Sequence, residues 1–193
     1  MTTTAERMLV IATEQFANNG YAGASMRDIA SAAGTTQAAI YHHFPNKQAL
    51  YDAVLDQRFA EIIPATLSGV EEIHEPEQRL RELVRRVMVM ADEDAQFRQL
   101  YLRELLEGNP ERLAKLANNL YGAMQDSIAS LANDLNADAD VHLLLFSIIG
   151  LTCHHLEARD LATLVPGNVS GNRELATLSE HISQLILSGI KGL

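Results

Sequence analysis

Gln37, Ala38, Tyr41 and His42 bring an amide, a methyl group, a phenol and an imidazole into six consecutive positions of a 193-residue chain. At helical spacing these four fall on one arc, and Ala39, Ile40, His43 and Phe44 fall on the other. One arc packs and the other is presented. An amide and a phenol reach base edges, a small apolar side chain meets a thymine methyl, and an imidazole meets a phosphate. The presented arc therefore suits the major groove of a DNA duplex, although Tyr41 and His42 would equally suit the surface of a purely structural helix. Ser25 and Thr36 add hydroxyls, Arg27 a guanidinium and Lys47 an ammonium. We expect Gln37 and Tyr41 at bases or the thymine methyl, Ser25, Thr36, His42 and Lys47 mainly at phosphates, and Arg27 at either. Ala38 lies on the reading face, and His43 is expected to pack or hydrogen-bond rather than read.

A second cluster, Cys153-His154-His155-Leu156-Glu157, carries thiol, imidazole and carboxylate groups. Adjacent helical residues point apart, and only Cys153/Glu157 or His154/Glu157 share a face. His142 and His181 are the histidines a fold could bring to it. Helix packing or a subunit interface is the expected role; metal sensing and redox sensing at Cys153 are the alternatives. No metal site and no cofactor is expected. No enzyme is indicated either, because glycine-rich phosphate loops, paired carboxylates and nucleophile motifs are all missing from the sequence.

The elements that must position the reading arc are marked by local signals. Ser25 stands three residues before Asp28, the spacing of a capping box, so a helix should start there. Gly34 then turns the chain, Thr35 and Thr36 can cap a second helix over 37–44, and Pro45 ends it. This is the pattern of a helix-turn-helix reader. Before it, Met8, Leu9, Ala12 and Phe16 mark a supporting helix over 5–18, stopped by Asn18-Asn19-Gly20. After it, Asn46 can cap a helix over 47–63 that Pro64 interrupts.

The run Asn19-Gly20-Tyr21, Ser25-Met26-Arg27-Asp28-Ile29-Ala30, Ala33-Gly34, Ala39-Ile40-Tyr41-His42-His43-Phe44 and Asn46-Lys47 resembles the tetracycline-repressor (TetR) family of bacterial transcriptional regulators. The matched stretch, from about Ala5 to Val54, is roughly a quarter of the chain. Two positions depart from the family pattern: Thr35 replaces a small β-branched apolar residue and Ala38 a common glycine. The resemblance implies an all-α protein with a helix-turn-helix domain over 1–46 and an effector-binding and dimerisation domain over 47–193, linked by the helix 47–63. It also implies a homodimer on palindromic double-stranded DNA, released by a small-molecule effector. A module of the same fold that binds an effector or a protein but DNA weakly is the alternative.

The rest of the sequence fits helices throughout. Pro76 opens a helix bearing Leu80, Leu83, Val84, Val87 and Met88, broken near 92–94; Phe97, Leu100, Tyr101, Leu105 and Leu106 mark the next, stopped at Gly108. Pro110 should open one long helix through Leu113, Leu116, Leu120, Met124, Ile128 and Leu131. A polar connector at 133–140 leads to an apolar helix over 141–161, a loop over 165–172 follows, and a last helix carries a heptad-like stripe. In the family the last two long helices pair between subunits. Leu145, Ile148, Thr152 and His155, with Leu175, Leu178, Ile182, Leu185 and Gly189, are therefore the expected dimer interface, unless these stripes complete a monomeric core. Met88, Tyr101, Leu105, Tyr121, Met124, Phe146 and Ile149 are the candidate lining of an effector site, with ordinary core as the alternative. Few charges interrupt these helices, which favours an apolar or aromatic effector.

The net charge of −10 does not suit a protein that coats nucleic acid. Residues 1–60 are nearly balanced, with Arg7, Arg27, Lys47 and Arg58 against Glu6, Glu14, Asp28, Asp52 and Asp56, so the acidity lies further on. Few cations serve the reader, which predicts few phosphate contacts and a shallow salt dependence. One cysteine, no signal pattern and no apolar run near the ~20 residues of a membrane span predict a soluble, cytoplasmic protein without membrane partners.

Overall fold

The computed structural model describes residues 4–135, 140–167 and 174–191. Among the described residues the chain is helical, with no strand, as the sequence predicts. In chain order the helices are α1 (Thr4–Gly23), α2 (Met26–Ala32), α3 (Gln37–His43), α4 (Lys47–Leu67), α5 (Pro76–Glu93), α6 (Ala95–Glu107) and α7 (Pro110–Leu116). A π-helical segment, Ala117–Gly122, then leads to α8 (Ala123–Asp134), α9 (Val141–Glu157), α10 (Arg159–Leu164) and α11 (Leu175–Lys191). Parts of the expected 133–140 connector and 165–172 loop lie outside the described residues.

These helices form two compact units. The first joins the chain up to Glu61 with Ala95–Leu116; the second joins Ile62–Asp94 with the described residues from Ala117 onward. The chain thus passes from one unit to the other three times, beside Pro64 in α4, at the Asp94 break and at the π-helical segment. A division after residue 46 does not describe this packing, because α6 and α7 join the first unit through contacts far apart in sequence.

The first unit is built around Met8, Phe16, Ile29, Ile40, Leu50 and Tyr51, all nearly without exposed surface. Phe16 meets Tyr51 edge-on with ring centroids 4.7 Å apart, and Phe59 meets Phe97 the same way at 5.4 Å. Gly20, at φ 70° and ψ 173°, kinks α1 where the sequence predicts a stop. Helix α4, in contrast, runs through Pro64 instead of ending there. Pro64 and Ala60 both face solvent, so the carbonyl that the missing N–H leaves unpaired can be satisfied by water.

In the second unit α5 lies against α9 and α11. Its core is Leu80, Leu83, Val84 and Met88 with Ile128, Leu131, Ile148 and Ile182. Ion pairs edge it: Arg79–Asp134 at 2.5 Å, Arg159–Asp92 at 2.8 Å, and Arg81–Glu180. The long helix expected from Pro110 is divided by the π-helical segment. The buried positions Leu116, Leu120, Met124 and Ile128 step by four. On an α-helix of 3.6 residues per turn, each step of four drifts by roughly 40°, and the wider turn absorbs that drift.

Candidate nucleic-acid interface

The reading element is held by caps. Ser25 Oγ accepts from the Asp28 N–H at 3.1 Å and donates to Asp28 Oδ2 at 2.6 Å. That hydrogen bond, with Arg27 beside it, keeps the Asp28 carboxyl below the usual carboxylate range. In a reciprocal capping box the carboxylate would take the backbone N–H of residue 25; here it takes the hydroxyl. Ser25's one proton is therefore engaged, and a phosphate reaches it only by displacing Asp28. Arg7 Nη2 donates to the Ala33 carbonyl at 3.2 Å, tying the end of α2 to α1. Gly34 makes the turn at φ 65°, where residues with a Cβ are strained.

Thr36 Oγ1 accepts from the Ala39 N–H at 3.2 Å and starts α3; Phe44, extended at φ −131°, ends it ahead of Pro45. Ile40 is fully buried and anchors the helix. Gln37, Ala38, Tyr41 and His42 are all exposed, so the four lie together on the presented side. His43 corrects the sequence reading: it is exposed, its ring stacked on His42 with centroids 5.5 Å apart. A seven-residue helix anchored at one position leaves its last turn free of the core.

Asn46 Oδ1 accepts from the Ala49 N–H at 2.8 Å and opens α4. Lys47 Nζ, at its first turn, donates to the Ala22 carbonyl at 3.3 Å and lies 4.6 Å from the Tyr21 ring centroid. Burial lowers the pKa of this ammonium; Arg112 lowers it further and Glu107 opposes both. Arg27 is free to swing, with 81% of its side chain exposed and only a loose contact to Asp28 at 3.6 Å.

Sequence reasoning missed the support beneath this surface. Arg103 of α6 donates from Nε and Nη2 to the Ala17 and Asn18 carbonyls of α1, each at 2.8 Å. Glu104, 1% exposed, accepts from Arg112 Nε at 2.8 Å and from the Tyr51 hydroxyl. Arg112 also pairs with Glu107 and lies 4.5 Å from the Tyr21 ring centroid. One signal was available: Glu104 follows Phe97 and Leu100 at helical spacing, a carboxylate on an inward arc.

The other expected site residues are placed differently. Tyr101 and Leu105 belong to the first unit, whereas Met88, Tyr121, Met124, Phe146 and Ile149 belong to the second. Leu105 and Phe146 are exposed at 45% and 54%, while Met88, Met124 and Ile149 are buried. Phe146 covers Tyr121, ring centroids 4.5 Å apart. Among the expected interface residues, Leu145, Ile148, Thr152, Leu178 and Ile182 are buried within the single chain, so they have no surface to lend a second one. His155 and Leu175 are half-buried, and Leu185 and Gly189 are exposed. Helix α9 is apolar nearly all round, and its buried arc spans Leu144, Leu145, Ile148, Ile149, Thr152, Cys153 and Leu156. Cys153 is buried and His154 exposed. His155 lies 5.8 Å from His181, ring to ring. Among the described residues no three His, Cys, Asp or Glu side chains are grouped to hold a metal ion.

A capped two-helix turn with an exposed polar arc, joined to a second helical unit, defines a helix-turn-helix DNA-binding regulator. The family model for bacterial regulatory proteins of the tetR family matches residues 9–54, and that for the C-terminal domain of the HTH-type transcriptional dual regulator CecR matches 76–192. The chain belongs to the TetR family of transcriptional regulators. It is 26% identical over 189 residues to the HTH-type transcriptional regulator RutR of Escherichia coli, covering 95% of this chain and 89% of that protein. The fatty acid degradation regulator FadR from Bacillus halodurans shares the fold, with TM-score 0.77, 20% identity, and 99% and 98% of the two chains covered. So does the regulator FadR from Bacillus subtilis in complex with stearoyl-CoA, with TM-score 0.69, 21% identity, and 95% and 98% covered. No helix among the described residues is long and apolar enough to cross a membrane.

Proposed function

We propose that this regulator binds a palindromic operator as a homodimer and is released from it by a small, largely apolar effector, acting as a repressor. The observation that carries the DNA reading is the exposed arc of Gln37, Ala38, Tyr41 and His42 on a helix anchored by Ile40, with Lys47 beside it. Gln37 and Tyr41 read bases; Thr36, His42, Lys47 and, once Asp28 is displaced, Ser25 meet phosphates; Arg27 swings to a base or a phosphate. One short helix discriminates little, so two copies about one DNA turn (~34 Å) apart are needed.

The second copy docks on the outward side of α9 and α11. Leu143, Phe146 and Leu185 are exposed there at 66%, 54% and 50%. Nothing lies within 4 Å of the place a Cβ would take on Gly150 or Gly189, so a partner helix has room to approach. The two compact units act as the domains, the reader resting on α6 and α7 within the first.

An apolar effector is supported by the second unit's interior, where Met88, Met124 and Ile149 are buried, and by the stearoyl-CoA held by the Bacillus subtilis neighbour. Such a ligand shifts the dimer only by binding its two states with different affinities. Selection of duplexes from a random pool, followed by footprinting, tests the operator reading. A protected palindrome is expected, and Gln37→Ala or Tyr41→Ala should weaken it by about 1–3 kcal/mol per base contact. If no sequence is enriched by a folded dimer, the operator reading is wrong and the protein is an effector-binding or protein-interaction module.

A further inference from the structure

We infer that Tyr21 is a positioning residue for DNA binding: its ring and the neighbouring Ala22 carbonyl seat the Lys47 ammonium for a phosphate, and Arg112 braces that ring from α7. The inference rests on the reading above that Lys47 meets the DNA backbone. A lysine has three donors on a flexible stem and loses rotamer freedom when it must hold one phosphate. Here the stem is already ordered. The ammonium donates one bond to the Ala22 carbonyl at 3.3 Å, lies 4.6 Å from the Tyr21 centroid, and keeps two N–H groups for a partner.

The ring is itself held. Tyr21 meets Tyr51 edge-on at 5.1 Å and stacks on Phe16 at 6.2 Å between centroids. Arg112 lies 4.5 Å from the same ring centroid, and its guanidinium is tied to Glu104 and Glu107. The kink at Gly20, φ 70°, immediately precedes Tyr21 and Ala22, the two residues that Lys47 contacts from the start of α4. A cation braced by a ring, which is braced by a second, ion-paired cation, is more than the packing of α1 requires.

The test uses the duplex that the wild-type protein selects from a random pool, titrated over a range of salt. Lys47→Gln should flatten the salt slope by about 0.9 per subunit, the loss of one phosphate contact. Tyr21→Leu should weaken binding roughly two- to five-fold per subunit and flatten the slope in the same direction, while Tyr21→Phe keeps the ring and both values. Tyr21→Leu added to Lys47→Gln should change nothing more. Tyr21→Met is measured beside Tyr21→Leu so that a folding failure of one leaves the other to report. Equal losses in Tyr21→Phe and Tyr21→Leu, or additive losses in the double variant, overturn the positioning role while leaving the Lys47 contact intact. An unchanged slope in Lys47→Gln overturns both.

Discussion

Replacing Arg112 by methionine leaves the Glu104 carboxylate buried with the Tyr51 hydroxyl as its remaining donor. Glu104 and Arg112 expose 1% and 7% of their side chains, so water cannot take the place of the guanidinium. Removing one partner of such a pair costs about 3–5 kcal/mol, most of it the penalty of an uncompensated buried charge. A chain of this length loses about 2–4 °C in Tm per kcal/mol, so the midpoint should fall by about 6–20 °C. Heat and urea unfolding followed by circular dichroism measure this directly. Combining Arg112→Met, Glu104→Leu and Tyr51→Phe should restore most of the stability, since a well-packed apolar cluster replaces a buried ion pair at little net cost. A midpoint for Arg112→Met within about 2 °C of the parent would refute the reasoning, since the pair would then be solvated.

Burial and the hydrogen bond to Glu104 push the Tyr51 phenol well above its usual 10. A group whose folded pKa is raised stabilises fully below its unfolded value and loses that contribution above it, so stability should decline above about pH 10, and Tyr51→Phe should blunt the decline in an alkaline unfolding series. Hydrogen bonds from Arg85 and then Arg86 hold the Glu82 carboxyl at about 2 instead of 4.5. Its contribution is present above pH 4.5 and lost as the pH falls toward 2; Glu82→Gln should flatten that acid limb. Thr36→Ala removes the cap of α3 and should lower stability by about 1 kcal/mol, seen as a lower urea midpoint, together with weaker operator binding. Gly20→Ala places a Cβ at φ 70°, 3.1 Å from Glu107 Oε1, and should cost about 1–2 kcal/mol in the same assay.

What could be read from the sequence is what is decided locally. Ser25, Thr36 and Asn46 each accept from an N–H three residues on, Pro76 has the pre-set φ of a first turn, and each stands where the structure starts a helix. The presented arc of α3 was legible for the same reason, because a single buried Ile40 fixes which side faces out. The inward face of α9 was not, since an apolar residue on every side leaves periodicity without a contrast to report. On α11 the heptad stripe misled. Ser183 and Ser179 turn inward, with the Ser183 hydroxyl bonded to the Ser179 carbonyl at 2.7 Å, and a polar residue reads as outward in sequence. The joining of α6 and α7 to the reader depends on pairs such as Tyr51 and Glu104, 53 residues apart, which carry no local trace.

Arg103, Glu104 and Arg112 bind carbonyls, a phenol and a ring that belong to α1 and α4. The DNA-reading part of this regulator is therefore not a portable N-terminal cassette. A chimera cut after residue 46 would separate Lys47, the rest of α4 and residues 95–116 from the helices they complete, leaving a buried carboxylate and two α1 carbonyls facing a foreign surface. A graft that moves operator specificity between regulators of this kind must carry two discontinuous segments, or change only the exposed side chains of α3 and leave the scaffold that holds them in place.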